Sequence, residues 1–458
     1  MKKTHQDMTV GSISGNLVRF ALPLLAGNLF QQLYNMVDTW VIGQSSNNAA
    51  YAAVGSVGPV INTLVGFFSG LATGAGVVIS QYFGAGNREK VEKTVHTSVM
   101  MTLVMVFLFT GLGTFLAPKM AEMMLSTDNG DPEVLREASV YLTIYFAGVS
   151  GLMVYNMGAG ILRAIGDSRN PFYYLVVSTV LNILLDLLFV FKLGMSADGV
   201  AYATVIAQFA SAVLIVIKLL RTDSWVRVRP KQVRIDREML GKIIQVGIPS
   251  ALQMSVTAFS NVFVQSYIAG TNGVQAYNLG GWTTYNKIDQ FIFLPLTSLA
   301  LAISTFVGQN LGKGNVERAK KGTYVAYGLA TAVTAVVIVI VELFAPQLAA
   351  FFNPDENVVA NATLLLRCMT PFYFFCCVNQ IFMGSLRGSG DSTAAMILCL
   401  STFVGFRQIY LFVMSRFISN DLLPIGFGYP AGWVVCCVCT LIYFFSCKFG
   451  AKVVVEKE

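Results

Sequence analysis

Leu162-Arg163-Ala164-Ile165-Gly166-Asp167-Ser168 returns 224 residues later as Leu386-Arg387-Gly388-Ser389-Gly390-Asp391-Ser392. A second stretch, Ser80-Gln81-Tyr82-Phe83-Gly84-Ala85-Gly86-Asn87, returns at an offset of 228 as Gly308-Gln309-Asn310-Leu311-Gly312-Lys313-Gly314-Asn315. Pro23 matches Pro249 and Asn35 matches Asn261, both at 226. Near-constant offsets over four landmarks mean that the chain is an internal duplication.

The material between the landmarks is apolar. Of 458 residues, 55% are hydrophobic and 12% charged, about half the roughly 25% charge of soluble domains. Mean hydropathy is +0.63. A soluble globular enzyme, a disordered scaffold and a secreted disulfide module are all excluded. The apolar runs reach ~20 residues or more, the length of membrane helices rather than barrel strands. The fold is therefore all-α and polytopic. Twelve spans are expected, at 17–42, 53–80, 95–117, 138–161, 171–193, 199–220, 241–269, 277–307, 323–349, 362–385, 394–418 and 427–448. The start Met1-Lys2-Lys3 resembles a signal peptide, but the run from Leu17 to Ile42 lacks a small-residue cleavage site, so a retained first span is expected.

Charge placement agrees with an even span count. Of the 31 Lys and Arg, only Lys119, Arg136, Lys192 and Arg416 fall on the side away from the termini, and Lys287, Arg367 and Arg407 fall inside spans. The rest, Lys2, Lys3 and Lys457 included, lie on the side of the termini, which is therefore expected to be cytoplasmic. The net charge of +7 is thus a topology signal, and no nucleic-acid partner is expected. Trp40, Trp282 and Trp433 fall at expected outer ends, where interfacial aromatics belong. All eight Cys lie between Cys368 and Cys447 without metal spacing, far from His5 and His96, and are read as packing residues.

Each copy holds six spans, so both enter the membrane the same way. A pseudo-two-fold axis along the membrane normal should relate an N lobe (1–220) to a C lobe (241–458). The basic stretch from Arg221 to Arg237 lies in a linker, 221–240, between them. Two equal helical lobes around a cleft suggest alternating access rather than a fixed channel.

The two Gln-x-x-Gly stretches and the two Leu-Arg-x-x-Gly-Asp stretches resemble the multidrug and toxic compound extrusion (MATE) family over essentially the whole chain. The resemblance covers two six-helix lobes, and no clustered His, Cys or Ser–His constellation stands at one depth, so no enzymatic activity is expected. Within the signatures, Gly84, Gly86, Gly312 and Gly314 are read as helix-ending turns. Arg163 with Asp167 and Arg387 with Asp391 are read as local turn pairs, outside the chemistry.

Ionisable groups at membrane depth are costly and therefore informative. Gln31, Asn35 and Asp38 stand at i, i+4 and i+7, on one face of span 1. Span 5 carries Asn182 and Asp186, and span 6 carries Thr204. Two carboxylates, an amide and a hydroxyl suit a hard cation such as Na⁺. The same carboxylates can instead take a proton, since burial and a second acid nearby both disfavour the charged form. The resemblance implies that Asp38, Asn182, Asp186 and Thr204 match the N-lobe cation site of the DinF-like branch. It also implies a hinge or a static kink at Pro23, since a proline leaves a weak point in a helix.

The repeat isolates this set. Asp38 matches Val264 and Asp186 matches Tyr410, so the second copy lacks both acids. Spans 7 and 10 also lack Asp and Glu, unlike family members with a cation carboxylate in span 7. The C lobe instead carries Lys287, Asp289 and Arg407, expected either as a structural ion pair across helices or in a substrate or coupling role. Arg367 is expected to reach the outer interface.

The cleft should be apolar, with some amides. Candidates are Gln31, Tyr34, Asn35, Met36, Gln253, Met254, Phe259, Asn261 and Gln265. Gly66, Gly70 and Gly74 in span 2 read as close helix packing. No nucleotide-binding motif occurs, so an ion gradient should drive transport. The expected protein is a single-chain, cofactor-free antiporter in a bacterial or archaeal inner membrane, exporting amphipathic, cationic small molecules against H⁺ or Na⁺. The alternative is a lipid-linked precursor flippase, for which Lys287, Arg367 and Arg407 could line a cationic cavity.

Overall fold

The computed structural model describes residues 6–44, 47–125 and 131–455. Lys2, Lys3, His5 and Lys457, placed above by charge or spacing, lie outside the described residues. Within them the chain is all helix and loop, without strands. Its spans are α1 (Ile13–Gln44), α2 (Ala49–Gly84), α3 (Arg88–Leu125), α4 (Pro132–Ala147 and Val149–Ala164, bent by 47°), α5 (Arg169–Lys192) and α6 (Ala197–Arg221). The second set is α7 (Arg237–Ala269), α8 (Gln275–Gly312), α9 (Val316–Phe352), α10 (Glu356–Gly388), α11 (Ser392–Ile418) and α12 (Leu422–Ser446). These are twelve spans in two six-helix lobes.

Local chemistry sets the ends. Asp236 caps α7 by accepting from Met239 N at 3.0 Å, and Asn315 caps α9 by accepting from Arg318 N at 3.0 Å. After α2 and α8 the chain turns at Gly86 (φ +74°) and Gly314 (φ +81°), a conformation that a Cβ disfavours. Segment 222–236, between the lobes, is seated on α3: Arg229 N donates to His96 Nε2 at 3.0 Å, and Asp236 N donates to Thr97 Oγ1 at 3.1 Å.

The lobes meet most closely along α2 and α7. The Gly66, Gly70 and Gly74 stripe of α2 faces the α7 backbone at Met254, Ala251 and Gly247, with no side chain between. Dispersion between close backbones replaces the hydrophobic effect inside a bilayer. The repeat-related pair, α1 with α8, lacks this device. Leu294, Ser298 and Ala302 stand where α2 has its glycines. There the lobes are joined by a bond from Asn28 Nδ2 to Ser298 Oγ at 3.2 Å.

On the side of the termini, the signature glutamines fasten the lobes symmetrically. Gln81 Nε2 donates to Gly388 O of the opposite lobe, and Gln309 Nε2 donates to Ala164 O, both at 2.9 Å. The chain ends complete the clasp. Met8 N donates to Gln309 Oε1 at 3.1 Å, and Val454 N to Gln81 Oε1 at 2.7 Å. Gly84 and Gly312 therefore do more than end helices. A Cβ at either would collide with the backbone of Gln309 or Gln81.

Replacing both Gln81 and Gln309 by Ala removes the partners of four backbone groups, three of them buried, at about 1–3 kcal/mol for each buried one. Amide exchange at 82–86 and 310–314 should rise by about tenfold or more in that double variant. Unchanged protection would show that the glutamines do not hold this end shut.

The sequence placed Trp282 and Trp433 in an interfacial belt, and the structure buries them instead. Trp282 stacks on Tyr429 at 5.1 Å, and Trp433 packs on Tyr373 at 5.1 Å, inside the C lobe. Only Trp40, of the three, is exposed. Cys376, Cys377, Cys399, Cys436 and Cys437 are buried in the same lobe.

Candidate functional site

Asp38 from α1, Asn182 and Asp186 from α5 and Thr204 from α6 converge inside the N lobe. Asp186 is fully buried, and Asn182 and Thr204 nearly so. The Asp38 and Asp186 carboxyl groups lie within hydrogen-bonding reach of each other. As carboxylates, neither can donate. Among the described residues, Asp38 Oδ1, both Asp186 oxygens, the Asn182 amide oxygen and Thr204 Oγ1 are buried without a hydrogen-bond partner. Buried polar atoms are rarely left this way, and the exceptions mark unmet ligands or chemistry. Here the unmet atoms are nearly all oxygens, a set that can take up a proton or hold a hard cation.

Local backbone supports the set. The last turn of α5, Leu187–Lys192, is π-helical and begins at the residue after Asp186. Such turns are rare and gather at functional sites. Tyr34 and Tyr141 stand near the Asp38 carboxyl.

Next to this cluster a cavity of about 510 Å³ lies between the lobes. Asn182 and Thr204 belong to both, so the cluster sits behind the cavity wall. Of the cleft residues expected from the sequence, Gln31, Tyr34, Gln253, Met254 and Asn261 line it. The other four stand elsewhere. Asn35 is exposed: on the α1 face, the cavity meets the Tyr34 edge, about 100° away. Met36 is half-buried outside the lining. Phe259 points outward against Phe263, ring centroids 5.5 Å apart, and Gln265 is exposed on α7.

Sequence reasoning missed much of the lining. Asn28, Asn156, Gln208, Asn379, Gln380, Arg163 and Arg387 all face the cavity. A usable signal was present. At the repeat offsets, Arg163 pairs with Arg387, Asn156 with Gln380, Ser69 with Thr297 and Gln31 with Thr257, and every one of these lines the cavity. Polar residues repeated at membrane depth therefore mark the pseudo-two-fold axis.

Two expected pairings are corrected. Arg163 and Arg387 do not pair with the Asp of their signatures. Asp167 accepts from Asn170 N at 3.1 Å, and Asp391 accepts from Lys452 Nζ at 2.8 Å and Tyr443 Oη at 2.6 Å. In the C lobe, Lys287, Asp289 and Arg407 form no ion pair with one another among the described residues. Asp289 accepts from the hydroxyls of Tyr285 and Tyr373. Arg407 Nη2 donates to Ser260 Oγ at 2.9 Å and Asn261 Oδ1 at 3.0 Å, with its guanidinium 4.9 Å from the Tyr429 ring. Lys287 is exposed, 5.8 Å from the Phe352 ring. Tyrosine and serine hydroxyls thus satisfy groups that the sequence left without neutral partners. Exchanging the charges, Asp289→Arg with Arg407→Asp, should leave transport no better than the worse single variant. Recovery in that double variant would restore the ion pair.

Comparison with known proteins follows the same lines. The MatE family model matches residues 23–188 and again 246–413, once in each copy. The chain is 27% identical over 442 residues to the probable multidrug resistance protein YoeA of Bacillus subtilis (strain 168), covering 94% of this chain and 93% of that one. It is 27% identical over 459 residues to the probable multidrug resistance protein NorM of Thermotoga maritima, covering 98% and 96%. A solved structure described as a MATE in complex with MaL6 superposes with a TM-score of 0.90 at 23% identity, over 97% of this chain and 98% of that one.

Proposed function

Because the chain belongs to the MatE family of membrane transporters, we propose that it is a secondary active exporter of amphipathic small organic molecules. Export is exchanged for H⁺ or Na⁺ bound at Asp38, Asn182, Asp186 and Thr204. The observation that carries this reading is the set of buried oxygens without partners, beside the cavity and sharing its wall. An oxygen set of this kind suits a hard monovalent cation or a proton.

The two lobes, 1–220 and 241–458, are the moving bodies, joined by the linker 221–240. The excess of Lys and Arg on the side of the termini supports a cytoplasmic membrane location with both ends inside. The glutamine clasp then closes the cytoplasmic end, so the described state is the one that releases substrate outward. Looser packing between α1 and α8 leaves α1 freer than α7, which favours Pro23 over Pro249 as the bending point. A single chain encloses cavity and ion site, so a monomer suffices. The expected cationic substrates find rings at Tyr34, Tyr155 and Phe403 but no carboxylate on the wall. Lys287, Arg367 and Arg407, on which the flippase alternative rested, do not line the cavity; the cations on its wall are Arg163 and Arg387.

Reconstitution into liposomes with an imposed Na⁺ or H⁺ gradient, one at a time, tests the coupling. One of the two should drive dye efflux above the no-gradient rate. Equal efflux with and without both gradients would refute the proposal.

A further inference from the structure

Arg163 and Arg387 are the charged residues of the cavity wall, and no Asp or Glu is among the described residues lining it. Asp38 and Asp186 stand behind Asn182 and Thr204, off the wall. Each guanidinium is separated from the acid that follows it in sequence, because Asn170 occupies Asp167 and Lys452 with Tyr443 occupies Asp391. Arg387 Nη1 donates to Gln253 Oε1 at 3.3 Å, and its buried Nε has no partner. Arg163 makes no ion pair among the described residues. A buried cation, Arg387, and a half-buried one, Arg163, without a counter-ion are costly, and a bound anion relieves that cost. The apolar remainder of the wall, including Leu152, Leu175 and Met254, suits a hydrocarbon or ring body. A cavity of about 510 Å³ accommodates one drug-sized molecule.

We infer that this cavity selects amphipathic molecules carrying an anionic group, which Arg163 and Arg387 hold at one end while the apolar wall holds the body. The inference rests on the exporter reading and reverses the charge expected of the substrate from the sequence. Its geometry follows from the duplication. One arginine from each lobe reaches a single cavity, so both contact one ligand only while the lobes are closed on each other at this end. A free organic acid and a lipid headgroup phosphate share this chemistry.

The test uses one fluorophore in three charge states: dansylglycine (anion), its methyl ester (neutral) and dansylcadaverine (cation). Binding to the purified full chain in detergent is read by dansyl fluorescence, and gradient-driven efflux by liposome assay. Dansylglycine should bind about tenfold more tightly than its ester, the usual scale of a charge-assisted hydrogen bond. Arg163→Gln and Arg387→Gln should each erase that ratio, and Arg163→Lys should keep part of it. The ranking in the unmodified chain needs no variant, so misfolding of either substitution leaves the test intact. Displacement of dansylglycine by octanoate but not by phosphatidic acid in mixed micelles identifies a free acid, and the reverse a lipid headgroup. Equal binding of all three probes, or preference for dansylcadaverine, overturns the inference even if efflux is gradient-driven. Preference for dansylglycine without efflux under either gradient upholds the inference and refutes the exporter reading.

Discussion

Asp186→Asn, in a chain that reaches the membrane at the unmodified level, will reduce gradient-driven efflux to the leak of empty liposomes. The substitution keeps shape and burial and removes the charge. Asp186 has both oxygens buried and without a donor, so the site depends on an ion or proton to satisfy them. An amide at that position supplies its own hydrogens, donates one to Asp38 and removes one of the two charges that would hold the coupling ion. Asp38→Asn should act in the same direction. The double variant should be no worse than either single one, because the two carboxyls work as one unit. Efflux of more than about a tenth of the unmodified rate in Asp186→Asn, at equal protein level, would place coupling elsewhere; a tenfold change corresponds to about 1.4 kcal/mol.

The second large effect is structural. Gly74→Leu puts a side chain where the backbone of Gly247 already stands, and at Gly70 a Cβ would come within 2.5 Å of Ala251 backbone atoms. Backbone cannot rotate aside as a side chain can. The cost should reach about 3 kcal/mol or more, the upper end of overpacking penalties. A lower melting temperature in detergent and lost transport should appear together. Gly111→Leu is the matched control, because nothing stands within 4 Å of a Cβ there and the residue is exposed. Its melting temperature should stay at the unmodified value. An unchanged melt in Gly74→Leu would mean that α2 and α7 are not held at backbone contact.

Span number, lobe symmetry and the N-lobe cluster of Asp38, Asn182, Asp186 and Thr204 were legible because each leaves a local mark: an apolar run, a repeated motif, an acid where acids are rare. The glycine stripe was legible for the same reason. The cavity lining was legible only in part, because the face that a helix turns inward depends on its neighbours. Asn35 and Tyr34 differ by one residue, yet only Tyr34 meets the cavity. The partners of Asp289, Asp391 and Arg407 are hydroxyls, amides and a distant lysine, and no spacing rule brings these together. Arg163 and Arg387 were set aside because an acid follows each closely in sequence. The chain turns between them at Gly166 (φ +86°) and Gly390 (φ +89°), and the charges part.

The clasp on the side of the termini has a practical consequence. Met8, at the start of the first lobe, is anchored on the second, through Gln309 and the Asn310 side chain. Val454, at the end of the second lobe, is anchored on the first. The ends cross like folded arms. A donor dye at one end and an acceptor at the other would therefore report, by energy transfer, whether the arms are folded. A bulky fusion at either end would sit on the joint it was meant to observe.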